Sequence, residues 1–348
     1  MQFGIVLDSI FTRHFTPEGH PERPERIEAI LEAIEKWDQS RQLVRIVPNP
    51  VKEEWILAVH TSEHFEGIQR TAGKSVDQLD PDTYTSPDSF QTAILAAGSV
   101  VTLLDQLLEK NIDSGFALIR PPGHHAESNR AMGFCLFNNV AVATEWAIRN
   151  GGLEKVAIVD FDAHHGNGTQ EIFYSRSDVL YLSTHQYPFY PGTGHFTEMG
   201  ESQGEGFTVN FPLRAGGGNH FYCALFSDFV LPIIRQFHPN LILVSAGYDA
   251  HRSDPLAGMN LEVEGFGQLF NLLNSVAREI CEGRILYVLE GGYSLKALSE
   301  AVVCSIATTV NPQNFPIQEE QAEEYVAYRE QARQVFSRYW EVGGRGDN

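Results

Sequence analysis

The stretch "VDFDAHHGNG", Val159 through Gly168, decides how this chain is read. It sets Asp160, Asp162 and His164 at every second position, directly behind the apolar run Val156-Ala157-Ile158-Val159. That run, rich in β-branched residues and reached after Gly151-Gly152, reads as a buried parallel strand. Side chains at i, i+2 and i+4 of a strand share one face. Two carboxylates and an imidazole therefore stand together where the strand meets its loop, and such a group is too costly to bury unless a cation or hydrogen bonds compensate it. A metal ion is the simplest compensator.

Similar β-rich runs recur along the chain: "GFALIR" (Gly115 to Arg120), "VLYLSTH" (Val179 to His185), "LILVSAGYD" (Leu241 to Asp249) and "RILYVLEGGY" (Arg284 to Tyr293). Helical spacing of apolar residues separates them at Pro24 to Trp37, Pro87 to Lys110, Asn139 to Asn150 and Val263 to Ile280. The alternation predicts an α/β fold, a mainly parallel central sheet with helices on both faces. Residues 1–348 read as one domain, since no repeat or low-complexity linker divides them. An amphipathic helix is expected at about 319–340, docking Ala322, Tyr325, Val326, Ala332, Val335, Phe336, Tyr339 and Trp340 on the body or on a partner chain, with a loose tail at 341–348. The Gly-rich region from Pro191 to Gly218 reads as a mobile rim loop rather than a phosphate loop.

With 25 Lys+Arg against 45 Asp+Glu the formal charge is −20, which argues against a phosphate-backbone binder and for attraction of cationic ligands. The amino terminus lacks a basic, uninterrupted apolar leader, and no apolar run approaches the roughly 20 residues of a membrane span. The expectation is a cytoplasmic protein with no nucleic-acid or membrane partner; oligomeric state is left open. Cys135, Cys223, Cys281 and Cys304 are scattered, so any metal here must use Asp and His.

Ligands of such sheets sit outside the carboxyl ends of the strands. Four of those ends carry unusual polar groups: "RPPGHHAE" with His124 and His125, "DFDAHHGNG", "SAGYDAHRSDP" with Asp249, and "LEGGYS" with Tyr293. Each alone has a structural explanation, in turn capping or packing, but four together converge on one crevice. Asp162, His164 and Asp249 suit a divalent ion, zinc first, with iron(II) and others open. Two anionic ligands leave its water less acidified than an all-imidazole site would, so a separate base is needed. His124 and His125 supply imidazoles, Asp160 can orient one of them, and Tyr293 can donate to a developing oxyanion. The set suits hydrolysis of an amide or ester.

These motifs, with "HPERPERI" (His20 to Ile27), "GFCLFNN" (Gly133 to Asn139), "YPGTG" (Tyr190 to Gly194) and "SAGYDAHRSDPLAG" (Ser245 to Gly258), resemble the histone deacetylase family of the three-layer arginase-deacetylase fold. The resemblance spans Phe11 to about Val310 and is closer to class II and bacterial deacetylase-like amidohydrolases. It implies a zinc-dependent amidohydrolase that removes acetyl or other short acyl groups from acylated lysine or a related amine by metal-activated water attack. One zinc would sit on Asp162, His164 and Asp249. A structural potassium would sit on Asp160, Ser183, Thr184 and backbone oxygens of Asp162 and His164. Phe134, Tyr190, Gly133 and Leu256 would line a substrate tunnel, and Arg23 falls where the family has an arginine near the inner acetate pocket. Asn167 stands where class I has a second histidine-orienting aspartate, so His125 is expected to be the neutral base and His124, backed by Asp160, the more basic ring. Three alternatives are an acetylpolyamine amidohydrolase, disfavoured by Leu256 in the acidic gatekeeper position, an arginase-like di-manganese hydrolase, which lacks an evident second carboxylate set, and a binding module for acyl ligands without turnover.

Overall fold

A computed structural model describes residues 1–312 and 323–342. The chain runs β1 (Phe3–Leu7), α1 (Glu25–Lys36), β2 (Leu43–Arg45), α2 (Glu53–Ile56), α3 (Ser62–Gln69), β3 (Asp77–Gln78), β4 (Tyr84–Thr85), α4 (Ser89–Leu108) and β5 (Ser114–Leu118). It continues through α5 (Asn139–Arg149), β6 (Val156–Asp160), α6 (Asn167–Phe173), β7 (Val179–Gln186), β8 (Thr208–Leu213), α7 (Asn219–Leu225) and α8 (Leu231–Phe237). The last elements are β9 (Leu241–Ala246), α9 (Val263–Ile280), β10 (Ile285–Leu289), α10 (Leu295–Val310) and α11 (Glu323–Phe336).

Eight strands form one sheet in the order β2-β1-β5-β10-β9-β6-β7-β8. Every pair in it is parallel. Residues of β1, β5, β6, β9 and β10 are buried throughout, as expected of strands covered on both faces. Helices α4 and α5 pack together on one side of the sheet, and α1, α9 and α10 pack together on the other, which makes three layers. Consecutive strands β5 and β6 are separated in the sheet by β10 and β9. The connection between them must leap over both, and at such a switch point the loops leaving neighbouring strands splay apart and open a crevice.

Helix α4 is long and apolar enough to cross a membrane by length and composition, yet 61% of that window is buried inside the fold. It serves as a core layer. The Gly-rich region is not one loop, as its composition suggested, because β8 occupies Thr208–Leu213 as the edge of the sheet. Helix α11 docks on the body through ring contacts of Phe336 with Phe211 and Phe196 and of Tyr325 with Phe221. Val326, expected on the docking face, is 53% exposed; positions 319–322 and the tail from 343 lie outside the described residues.

Beneath the crevice lies a buried ion cluster. Glu22 accepts from Arg26 Nη1 at 3.0 Å and from Arg120 Nη2 at 2.7 Å, and Arg120 Nε completes a bidentate pair. His14 approaches Glu22 at 3.6 Å, but burial pushes its pKa down to about 3, so it is no ion-pair partner near neutrality. Burial raises the Glu22 carboxyl, yet the charge and hydrogen bonds of Arg120 and the charge of Arg26 outweigh burial and hold it at about 2 against an ordinary 4.5. A depressed carboxyl contributes stability that is complete above the unfolded-state pKa and lost as pH falls through the folded value. The shift corresponds to about 3 kcal/mol. Urea melts of the parent and of Glu22→Gln will therefore differ most above pH 4.5, by about 3–5 kcal/mol, and converge as the pH approaches 2. A gap that stays constant over that range would remove Glu22 from the acid response.

Candidate active site

The carboxyl end of β6 builds the centre of the crevice. The strand stops at Asp160, and two local hydrogen bonds keep the every-second-residue pattern through the turn: Asp162 N–H to Asp160 Oδ1 at 3.1 Å and His164 N–H to Asp162 Oδ1 at 2.9 Å. Asp249 arrives from the loop after β9, the strand beside β6. One ligand atom from each of Asp162, His164 and Asp249 lies within 4.8 Å of the others. His164 Nδ1 stands 3.2 Å from Asp162 Oδ1 and 2.8 Å from Asp249 Oδ2. Asp249 Oδ1 and Asp162 Oδ2 are fixed by the backbone N–H groups of Ala163 and Gly291, each at 2.8 Å. A Cβ on Gly291 would lie 2.5 Å from Asp249 Oδ2 and 2.6 Å from Asp162 Oδ2. Only glycine lets both oxygens come so close to the backbone.

Electrostatics say what this triad lacks. Both carboxylates are fully buried. Burial and the neighbouring Asp162 charge push the Asp249 carboxyl up to about 7. Burial opposes charge on His164, but Asp249 and Asp162 override it and raise the ring to about 10. Two buried anions thus draw a proton onto the imidazole between them, at the atom that would otherwise be a ligand. Two oxygens and a ring nitrogen converging on one point, with no fourth side chain closing it among the described residues, fit a divalent cation with an open position.

The paired histidines face this point from the β5 loop. His124 Nδ1 is 3.0 Å from Asp160 Oδ2, and His125 Nδ1 is 2.8 Å from Asn167 Oδ1. Burial disfavours a charged His124, but Asp160, Asp162 and Glu290 overcome it and raise the ring to about 10. Burial, followed by the charges of His124 and His164, holds His125 well below its ordinary 6.5. His125 is therefore neutral. With its Nδ1–H donated to Asn167, its Nε2 carries a free lone pair.

Aromatic walls enclose the approach. Phe134 meets Tyr293 edge-on at 5.7 Å and His20 at 4.8 Å, while Tyr190 meets His125 at 5.2 Å. Gly133 has φ +55°, and a Cβ there would come 2.4 Å from the His125 ring. Tyr293 is buried to 9% exposure, and burial keeps its hydroxyl well above 10, as an O–H donor. Leu256 is half-buried on the Asp249 loop, its N–H bound to Asp254 Oδ1 at 3.0 Å. Asp160 faces Ser183 across β6 and β7, and Thr184 Oγ1 is 3.5 Å from the Asp160 carbonyl oxygen; all three residues are buried. The Ser183 hydroxyl is also paired with His185 Nδ1 at 2.9 Å.

Arg23, expected at the inner pocket, is half-exposed. The inner guanidinium is that of Arg26, fully buried, 5.0 Å above the Tyr293 ring and bonded to the carbonyls of Gly292 and Glu290. Three further residues belong to the site. Phe189 stacks on His164 at 5.2 Å. Glu290 accepts from the N–H groups of Gly123 and His124, at 2.7 and 3.2 Å, and from the Ser245 hydroxyl at 3.0 Å. Asp254 accepts from Tyr293 N–H at 2.7 Å. Phe189 is signalled by its place beside Tyr190, whereas the two acids reveal themselves only through contacts between separate loops.

A model of the histone deacetylase domain matches residues 20–309. A probable deacetylase of Archaeoglobus fulgidus is 39% identical over 85% of this chain and 82% of that protein. A histone deacetylase-like amidohydrolase of Pseudomonas aeruginosa is 40% identical over 79% and 73%. The crystal structure of the HDA15 HD domain superposes with a TM-score of 0.91 at 35% identity, covering 98% of this chain and 97% of that one. Since the match runs through most of the chain in both sequence and fold, the chain belongs to the histone deacetylase family and is a metal-dependent hydrolytic deacetylase of the arginase-deacetylase fold.

Proposed function

We propose that this deacetylase is zinc-dependent and hydrolyses acetyl or another short acyl group from acylated lysine. The observation that carries the proposal is the convergence of Asp162, His164 and Asp249 on one point, with His125 beside them, its ring 6.2 Å from that of His164 and its Nδ1 2.8 Å from Asn167 Oδ1. Zinc held by those three would supply Lewis acidity at the amide carbonyl and a lower pKa for the attacking water. His125 Nε2 takes the proton of that water and returns it to the departing amine nitrogen. His124, held charged by Asp160, supplies a fixed positive charge. Tyr293 donates its O–H to the carbonyl oxygen as negative charge develops there. Phe134, Tyr190 and Phe189 flank an unbranched acyl-amine stem and exclude water from it. A potassium ion against the Asp160 carbonyl, Ser183 and Thr184 would stiffen the turn that carries two of the zinc ligands.

The substrate reading has one competitor with an observation behind it. Asp80 and Asp82 lie close enough to the tunnel wall to act electrostatically on Tyr190, which suits a polycationic acyl-amine. Leu256, rather than an acid, occupies the loop beyond Asp254, and that favours acyl-lysine. Zinc-reconstituted protein is expected to bind about one equivalent of metal and to turn over an acetyl-lysine peptide with kcat/KM at least about tenfold above that for acetylspermidine. The reverse ratio would assign the polyamine substrate instead. Activity that survives complete chelation, or that returns only with a second equivalent of metal, would overturn the mononuclear zinc site.

A further inference from the structure

Asn167 poses a problem. A carboxylate facing His125 could only accept its Nδ1–H, whereas an amide can turn over and present a donor instead. A turned amide would force the proton onto His125 Nε2 and remove the lone pair from a ring that lies 6.2 Å from that of His164. Something must hold the amide one way round.

Its surroundings supply the answer. Asn167 Nδ2 donates to Glu127 Oε1 at 2.7 Å. Its other neighbours on that side are weak acceptors, Met132 Sδ at 3.3 Å and the His125 carbonyl oxygen at 3.4 Å. Turning the amide would set its oxygen at 2.7 Å from a carboxylate oxygen, with no proton between them. Glu127 is itself fixed by a fork from Arg130, Nε to Oε2 at 2.8 Å and Nη2 to Oε1 at 3.0 Å. Its backbone is pinned as well, by Arg130 O accepting from Glu127 N–H at 3.1 Å and by His60 Nδ1 at 2.9 Å from the Glu127 carbonyl.

We propose that Glu127 is a positioning residue for the hydrolysis: its carboxylate locks the Asn167 amide so that Oδ1 accepts from His125 Nδ1, which keeps Nε2 unprotonated and aimed at the metal site. The proposal rests on His125 being the base. Arg130, Glu127, Asn167 and His125 then form one line from solvent to the reacting centre, each donor paired with an acceptor. The line divides the work of the missing second aspartate in two: the amide supplies the neutral contact, and the acid behind it supplies direction. Polarisation of the amide by the carboxylate also strengthens its acceptance from His125.

The two positions make a reciprocal test. In Glu127→Gln the facing amides can pair either way round, and kcat on an acetyl-lysine peptide falls about tenfold, the usual scale for losing an outer partner. KM, zinc content and hydroxamate affinity stay within about twofold, since no substrate-touching atom is altered. Asn167→Asp alone sets two carboxylates against each other and also lowers kcat. When Glu127→Gln and Asn167→Asp are combined, the new amide at position 127 donates to the new carboxylate at position 167. That carboxylate accepts from His125 with no amide to turn, and kcat recovers to within about threefold of the parent. Glu127→Ala, which offers no alternative pairing, shows the same loss as Glu127→Gln. Parental kcat in Glu127→Gln, or losses that simply add in the double variant, would overturn the role of Glu127. His125→Ala separates the two levels: substantial remaining turnover there would overturn the base assignment itself.

Discussion

Asp249→Asn will cost this protein about a thousandfold or more in kcat on an acetyl-lysine peptide, yet leave its metal-free form melting no lower than the metal-free parent. The first half follows from the geometry: Asp249 is one of the three side chains converging on the cation point, and losing several kcal/mol of charge stabilisation in the transition state is a loss of that order. The second half runs against the usual cost of altering a buried site. Asn keeps an oxygen to accept from Ala163 N–H, the bond Asp249 makes at 2.8 Å. It gives up the 2.8 Å contact with His164 Nδ1 but removes one of two like charges that share a fully buried space. With a single imidazolium between two carboxylates, one negative charge is left uncompensated in the apo fold at a cost, and Asp162, 3.2 Å from the same nitrogen, remains to pair with the ring. In the parent that cost is met when a cation binds, so the proposed zinc is expected to raise its Tm by ligand linkage. In the variant the rise disappears. Differential scanning calorimetry of both proteins, stripped of metal and then titrated with zinc, separates the cases; an undiminished zinc-dependent rise in Asp249→Asn would take Asp249 out of the ligand set.

Physical differences among residues explain which parts of this molecule are legible in the sequence. Strands β5, β6, β7, β9 and β10 announce themselves because a strand covered on both faces must be apolar throughout. Strand β8, "TVNFPL", carries Asn and Pro at the sheet edge, where a missing ladder donor is tolerated, and its glycine-rich flanks hide it. Helix α10 escapes a reading by periodicity: its mixed apolar and small residues lie between α1 and α9, and a helix packed from two sides has little amphipathic contrast. Asp162 and His164 are legible since the every-second-residue spacing that begins at Asp160 survives the strand end through its own hydrogen bonds, and Asp249 because it follows the end of another buried strand.

Arginine placement shows what local spacing alone could have corrected. Arg26 shares the buried face of α1 with Ile27, Ile30 and Ile34 and sits four residues after Glu22, its partner at 3.0 Å. A helical count from Glu22 points to Arg26; Arg23, before Pro24, precedes the helix. Glu127, Asp254 and Glu290 are different. Each acts across a gap between loops, and no periodicity within one segment encodes which distant N–H it meets.

Tyr293→Phe is expected to lower kcat by about a hundredfold or more, the scale of losing one oxyanion donor, with KM nearly unchanged. The substitution is close to a pure deletion of the hydroxyl. The ring keeps its edge contact with Phe134 at 5.7 Å and its place 5.0 Å below the Arg26 guanidinium. Its backbone stays tied by Asp254 at 2.7 Å and 3.2 Å through the N–H groups of residues 293 and 294. Nothing that holds the loop is therefore touched, and the folded protein and its zinc content should be those of the parent. The hydroxyl matters because burial holds it protonated far above neutral pH, so it remains a donor wherever His125 can act as a base. A donor that strengthens only as the carbonyl oxygen gains charge lowers the barrier without tightening ground-state binding, hence the separation of kcat from KM. Steady-state kinetics on an acetyl-lysine peptide, with hydroxamate binding measured alongside, test it directly. Near-parental turnover by the Phe protein would show that the carbonyl is polarised without the phenol, and a proportional rise in KM would make Tyr293 a substrate-binding residue instead.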